Sequence, residues 1–433
     1  MSGALDYDGW EHLEHDLFDG AGEAVQKVRE HARANGAPPV AFLLAVVQYV
    51  LSSMPGNVGF DAGMGRGSMN LFIVLLGKPG AGKDRLMRLV RNSVQVFDDQ
   101  TPLKPWPVHP GSGEGITDAL QPPEGASIAH PVLIEESEVG KLHTLLTRKG
   151  STLRSTLLNI YSGNSLGVTN KGQITVIQEG TYTAGLWVAA QPDKAYLLLD
   201  GEDDGFRHRF VWAELLDPGK LYERPEGTTR LMAVMVPKEV LAGTPVSFPD
   251  EIKRKVWQQQ HLLSAYGVSS NNTGHRTQTQ CKVAAGLALL RSSDSVSMDD
   301  WRRAGVLMDY SDRVQVFAAS YSKDLEVQRA ADLLERKELA QEEQQARKQQ
   351  KLEKFQLRAL NHIDGVDDGA PPVNWTHFLQ TLASRDRPLM RQAGTALAGM
   401  EAVRFSRTDT GGQLIERGPN FHLVLDDMRH REA

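Results

Sequence analysis

The chain has 433 residues, 40% hydrophobic and 24% charged, a globular composition too long for one compact domain and suited to two or three. Its formal net charge of −6 lacks the overall basic footprint of a DNA-coating protein, so any nucleic-acid contact must come from a local patch or from copies gathered in a ring. A single cysteine, Cys281, excludes a disulfide framework within the chain and a cysteine-based zinc site, and fits a reducing compartment.

Residues 1–60 are expected to be a helical region. Apolar and charged residues alternate at helical spacing over 22–34, and Pro38-Pro39 opens an apolar helix that ends near Pro55. The longest apolar run, 40–51, is too short to span a bilayer. The opening MSGALDYDGWEHLEHDLFDG has no signal-peptide pattern, so a cytoplasmic protein without a membrane partner is expected. A glycine-rich loop over 56–68 leads into NLFIVLL, residues 70–76, a run suited to a strand buried on both faces. A helix over 84–97, a strand ending near Ile134 and a helical stretch over 139–161 with a break at Gly150 come next. A hairpin over 166–179 and strands over 183–190 and 210–215 complete an α/β domain with a parallel sheet, 61–245.

Residues 246–323 read as a helical lid. Residues 324–354 read as a charged helical linker, since their apolar heptad is poorly sustained. Residues 355–433 follow a winged-helix order: helices over 355–363, 375–383 and 388–400, then a hairpin of 403–407 and 414–425 around TDTGGQ. Arg387, Arg391, Arg404 and Arg407 would lie on the third helix and the wing, facing DNA or, equally, a protein partner.

The strongest chemical signal is Gly77-Lys78-Pro79-Gly80-Ala81-Gly82-Lys83-Asp84, which follows the GxxxxGK spacing between a buried strand and an amphipathic helix. Glycines let backbone N–H groups face phosphate oxygens, and Lys83 would reach the β- and γ-phosphates. Position 84 departs from the pattern, which asks for a Ser or Thr hydroxyl on Mg²⁺. Asp84 either binds the metal, directly or through water, or repels the phosphates, and the latter would leave a site that binds without fast hydrolysis. Val132-Leu133-Ile134-Glu135-Glu136, about fifty residues on, carries an apolar run into two acids. Glu135 is assigned to the metal and Glu136 to the attacking water.

Gln191, ending TAGLWVAAQ, is either a γ-phosphate sensor or a turn residue before Pro192. Arg209, and after it Arg207, stand before the 210–215 strand. They serve either as an arginine finger on a neighbouring subunit's nucleotide or as partners of the acids at 202–204. Arg276 is a second sensor candidate in cis. Lys171, at the tip of the 166–179 hairpin, is either a DNA contact or an ordinary turn residue. His12 and His15 have no third ligand and read as surface residues.

NLFIVLLGKPGAGKD, VLIEES, TAGLWVAAQPDKAYLLL, DDGFRHRFVW and CKVAAGLALL, in this order, resemble the ATPase domains found downstream of primase–polymerase modules in phages, plasmids and other mobile elements. Gly205, Phe206, Arg209 and Phe210 match the Gly-Phe-x-x-Arg-Phe motif of those domains, and the resemblance covers roughly residues 35–320. It implies a P-loop NTPase core of the AAA+/RecA-like kind with ATP and Mg²⁺ as cofactors. It also implies a homo-oligomeric ring such as a hexamer, DNA as the track, and a primase or other replication protein as partner. The leading expectation is a DNA helicase or translocase in replication of a mobile element. A nucleotide-switched replication initiator or regulator is the second reading, and a packaging or anti-phage defence motor the third.

Overall fold

Three helices open the chain: α1 (Tyr7–Phe18), α2 (Glu23–Ala34) and α3 (Pro39–Ser52). The Asp6 carboxylate caps α1 by accepting the Gly9 N–H at 2.9 Å, and Pro39 starts α3 at the one helical position where its missing N–H costs nothing. All fourteen residues of α3 are buried, as a helix apolar on every side requires. Its one amide, Gln48, donates to the carbonyls of Leu186 at 2.6 Å and Leu71 at 3.3 Å, which keys the helix to the sheet. The computed structural model describes residues 3–170, 173–199, 205–220, 223, 232–266, 273–367 and 371–432.

The sheet has five parallel strands: β1 (Phe72–Leu76), β2 (Trp106–Val108), β3 (Val132–Glu136), β4 (Ala184–Ala190) and β5 (Phe210–Glu214). Their order is β5-β1-β4-β3-β2, so β4 lies between the strand before the glycine loop and the strand that ends in acids. All strands but β2 are buried along their whole length, which is why they read as unbroken apolar runs. In register, Leu76 is level with Ala190 and Glu214, while Glu136 is level with Val188 and therefore with Val74. Helix α4 (Lys83–Ser93) leaves β1, and α5 (Val139–Thr147) and α6 (Leu153–Ser162) lead from β3 towards β4. Later helices α7 (Asp250–Tyr266), α8 (Thr273–Leu290) and α9 (Met298–Asp364) close the order, and α8 packs on α3. Apolar residues from Trp10 to Ala318 join one core.

Several elements differ from expectation. The helix after the loop stops at Ser93, and Val94–Asp98 is a strand between Thr101–Leu103 and Met232–Met235. Its β-branched Val94 and Val96 alternate with exposed or half-buried neighbours, a period of two that outweighs the helical spacing before it. The glycine-rich 56–68 segment is a hairpin of Gly59–Asp61 and Arg66–Ser68. The edge strand β2 was not foreseen, because three residues including Pro107 leave no periodicity to read. The hairpin over 166–179 forms as Leu166–Asn170 paired with Gln173–Ile177, and Lys171 at its tip lies outside the described residues.

The chain divides into two compact units, residues 1–326 and 327–433. The second begins with 327–351 of α9, all exposed, as a charged solvated helix should be. Its core forms where Leu357, Leu360 and Ile363 meet α10 (Trp375–Thr381), α11 (Arg387–Gly399) and α12 (Phe421–Glu432). Trp375 sits at its centre, with ring centroids of Phe378 and Phe405 at 5.4 and 5.8 Å. Strands β6 (Val373–Asn374), β7 (Val403–Arg407) and β8 (Gln413–Arg417) form an antiparallel sheet in the order β6-β8-β7. The expected second hairpin arm over 414–425 is therefore corrected: the strand ends at Arg417 before Gly418-Pro419, and the chain turns into α12.

Candidate functional site

The glycine loop leaves the C-terminal end of β1 and is pinned on both sides. The Gly77 N–H donates to Ala190 O at 2.9 Å, and the Leu215 N–H donates to Leu76 O at 2.7 Å. Gly80 and Gly82 have φ of 79° and 85°, left-handed values that a side chain would strain, so the two glycines are needed to turn the loop. Pro79 and Gly80 are exposed, and Ala81 closes a turn on Lys78 O at 3.1 Å. Gly82 caps α4 without a side chain, which leaves the first N–H groups of the helix directed out of its start, the arrangement that attracts an anion.

Lys83 folds back over this loop. Its ammonium donates to Gly77 O at 2.9 Å and Lys78 O at 3.3 Å. Burial pulls its pKa below the usual lysine range, opposed by the carboxylates of Asp84 and Asp193. Asp84 is exposed in the first turn of α4, where a negative side chain also favours the helix dipole. Asp193 was not singled out in the sequence. It stands two residues beyond Gln191 in the short 3₁₀ turn Pro192–Lys194 after β4, and Gln191 is half-buried at the start of that turn.

The two acids of β3 are both buried, and as successive strand residues they face opposite sides of the sheet. Glu135 is ion-paired with Arg91 of α4. Glu136 accepts the Glu138 N–H at 3.1 Å through one oxygen. Its other oxygen has Lys141 Nζ at 3.1 Å, yet among the described residues it receives no hydrogen bond of good geometry. The distance gives Coulomb attraction, but the angle leaves this buried oxygen as an open acceptor. Among the described residues no group of three or more His, Cys, Asp or Glu side chains converges as a ready metal cage. A magnesium ion that keeps phosphate oxygens and waters in its shell needs only one or two carboxylates, so the absence of such a cage does not bear on one that arrives with nucleotide.

Arg207 and Arg209 form a 3₁₀ turn immediately before β5. Phe210 is level with Phe72, so this turn lies at the sheet edge opposite the loop, one strand length or roughly 16 Å away. Arg207 is exposed and donates to Leu199 O at 3.3 Å, whereas Arg209 is half-buried over the Tyr161 ring. The acids at 202–204, their alternative partners, lie outside the described residues. Arg276 follows His275, which lies close to Gly205 at the same far edge, and its guanidinium is bound by Asp309 and by Asp312 at 2.9 Å.

In the second unit, Arg387 donates to Leu382 O at 3.2 Å and Gln380 O at 3.1 Å and so caps the end of α10. Arg391 is exposed on α11, and Arg404 is exposed opposite Glu416 on the hairpin. No protein-family model matches the chain, and no curated protein matches it. No helix among the described residues is long and apolar enough to cross a membrane.

Proposed function

We propose that the chain is a P-loop ATPase that works as an oligomer on DNA, with a helicase or translocase role in replication of a phage, plasmid or other mobile element. The glycine loop between β1 and α4, with Lys83 turned into it, carries this reading. The strand order, with β4 inserted between the loop strand and the acid strand, supports a core of the AAA+ kind. Lys83 exchanges its two backbone carbonyls for the β- and γ-phosphates of ATP, while N–H groups of the loop and of the first turn of α4 take the remaining oxygens. Asp84 and Glu135 would hold Mg²⁺, which supplies charge neutralisation of the phosphates. Glu136, with its open acceptor oxygen, takes the proton of the attacking water. Arg209 completes the site from a neighbouring copy, since roughly 16 Å separates it from its own loop. The second unit, read as a winged helix, engages DNA or a protein partner.

A second reading, a nucleotide-switched initiator or regulator, draws support from Asp84, a carboxylate where the motif asks for a hydroxyl. Steady-state ATP hydrolysis with Mg²⁺, with and without single-stranded DNA, separates the two. Turnover that rises with DNA and disappears in Lys83→Ala supports the motor. Nucleotide binding without turnover in every DNA condition moves the assignment to the switch.

A further inference from the structure

At the sheet edge away from the glycine loop, side chains from three elements close around one ring. Tyr161, near the end of α6, is fully buried, and its hydroxyl is hydrogen-bonded to Thr279 of α8. Lys282, also on α8 and fully buried, brings its Nζ to 3.5 Å from the ring centroid. The same Nζ donates to Asn70 O at 2.6 Å and Tyr161 O at 2.5 Å, so it ties α8, α6 and the entry to β1 to one another. The guanidinium carbon of Arg209 lies 5.6 Å from this ring centroid. Gly205 makes room beside it: a Cβ there would come to 3.0 Å from Arg209 Nη1 and 3.1 Å from His275 Nε2.

A buried lysine is costly and needs a reason. Here its donors are spent on backbone carbonyls, and its position fixes an aromatic face within cation–π range of Arg209. An arginine that must meet a phosphate on another subunit gains from being held in one orientation beforehand, because a flexible guanidinium loses entropy at the moment of reaction.

We propose that Tyr161 is a positioning residue for Arg209: its ring, fixed by Lys282 and Thr279, holds the guanidinium for the nucleotide bound at the glycine loop of a second copy of this chain. This rests on the ATPase reading above and adds to it which residues preset the trans-acting cation.

The test is a subunit-mixing assay on the full chain with Tyr161→Leu, Tyr161→Phe, Lys282→Met and Lys83→Ala. Tyr161→Leu is expected to lower kcat by about 10- to 100-fold with KM little changed, while Tyr161→Phe keeps the ring and most of the activity. Mixing Tyr161→Leu with Lys83→Ala should raise turnover above that of either variant alone, because the Lys83→Ala copy lends an intact Arg209 to the working loop. Lys282→Met repeats the assay should Tyr161→Leu fail to fold, and the same rescue is expected. Equal losses in Tyr161→Phe and Tyr161→Leu, or no gain on mixing, overturn the positioning role. If the unmodified protein does not hydrolyse ATP at all, the ATPase reading fails first, a distinct outcome that removes this proposal with it.

Discussion

Arg91 on α4 is ion-paired with Glu135 at the end of β3, so the helix that begins with Lys83 and the strand that ends in acids are tied by a single charge pair. The Glu135 side chain is 10% exposed and that of Arg91 36%, so removing the arginine strands a buried carboxylate while removing the glutamate does not strand a buried cation. Breaking a fully buried pair costs about 3–5 kcal/mol, and the partial exposure of Arg91 lowers the expectation to about 2 kcal/mol. Arg91→Met should therefore shift the urea midpoint more than Glu135→Gln does. The double variant should recover part of the loss, read as a coupling free energy. Additive single effects would show that the pair contributes nothing.

Glu136 and Lys141 allow a sharper separation of roles. Glu136→Gln keeps the shape and an oxygen for the Glu138 N–H but cannot take a proton. Turnover is expected to fall by about 100-fold or more while nucleotide affinity stays within about threefold. Lys141→Ala, which removes only a half-exposed ammonium beside the same carboxylate, should change turnover far less. Phosphate release and binding of a fluorescent ATP analogue measure the two quantities, and parallel loss of both in Glu136→Gln would remove Glu136 from the role of base.

Much of this was legible in the sequence, for identifiable reasons. Strands β1, β3 and β4 are buried on both faces, and residues such as Phe72, Ile134 and Val188 therefore stand in unbroken apolar runs. The loop was legible because its glycines and Lys83 stand at the GxxxxGK spacing. Sheet order was not, since no local period records that β4 inserts between β1 and β3. Arg91 was missed because a charged residue on an amphipathic helix looks like a solvated face, although it reaches Glu135. Lys282 did leave a trace: a lone cation opening the apolar run CKVAAGLALL on a core helix must find acceptors. Tyr161 left none, because an aromatic at the end of a helix reads as ordinary core.

The far-edge cluster also predicts a pH response. Burial first, and then the positive charges of Arg209, His208 and Lys282, pull His275 down to about 4, below an unfolded value near 6.5. Between those values the unfolded chain takes up the proton and the folded chain does not. Stability contributed by His275 is thus complete above pH 6.5 and is lost as pH falls towards 4. The gap alone corresponds to about 3 kcal/mol, and the half-exposed ring reduces the expectation to about 1–2 kcal/mol. Urea unfolding at pH 7.5 and pH 4.5 should show a smaller acid loss for His275→Gln than for the unmodified protein. An equal loss in both would show that His275 is not the group responsible.

In the second unit three of the four arginines expected to face DNA, Arg387, Arg391 and Arg404, are not equivalent, and their geometry orders their effects. Arg387 caps the carbonyls at the end of α10, so Arg387→Ala should cost about 1 kcal/mol of stability in that unit. Arg391 on α11 and Arg404 on the hairpin are exposed, although Glu416 opposite Arg404 dilutes its charge. Neutralising a side chain that contacts a phosphate lowers the slope of log K against log salt by about 1. Arg391→Ala is therefore expected to weaken DNA binding by the full chain and flatten its salt dependence by about that amount. Arg404→Ala should do so less, and Arg404→Ala with Glu416→Ala should leave binding nearly as it was, since the two charges cancel. Binding isotherms across a salt series decide this. If Arg391→Ala and Arg404→Ala both leave slope and affinity unchanged while the protein still binds DNA, the contact lies in the first unit, and this face of the second unit is left for a protein partner.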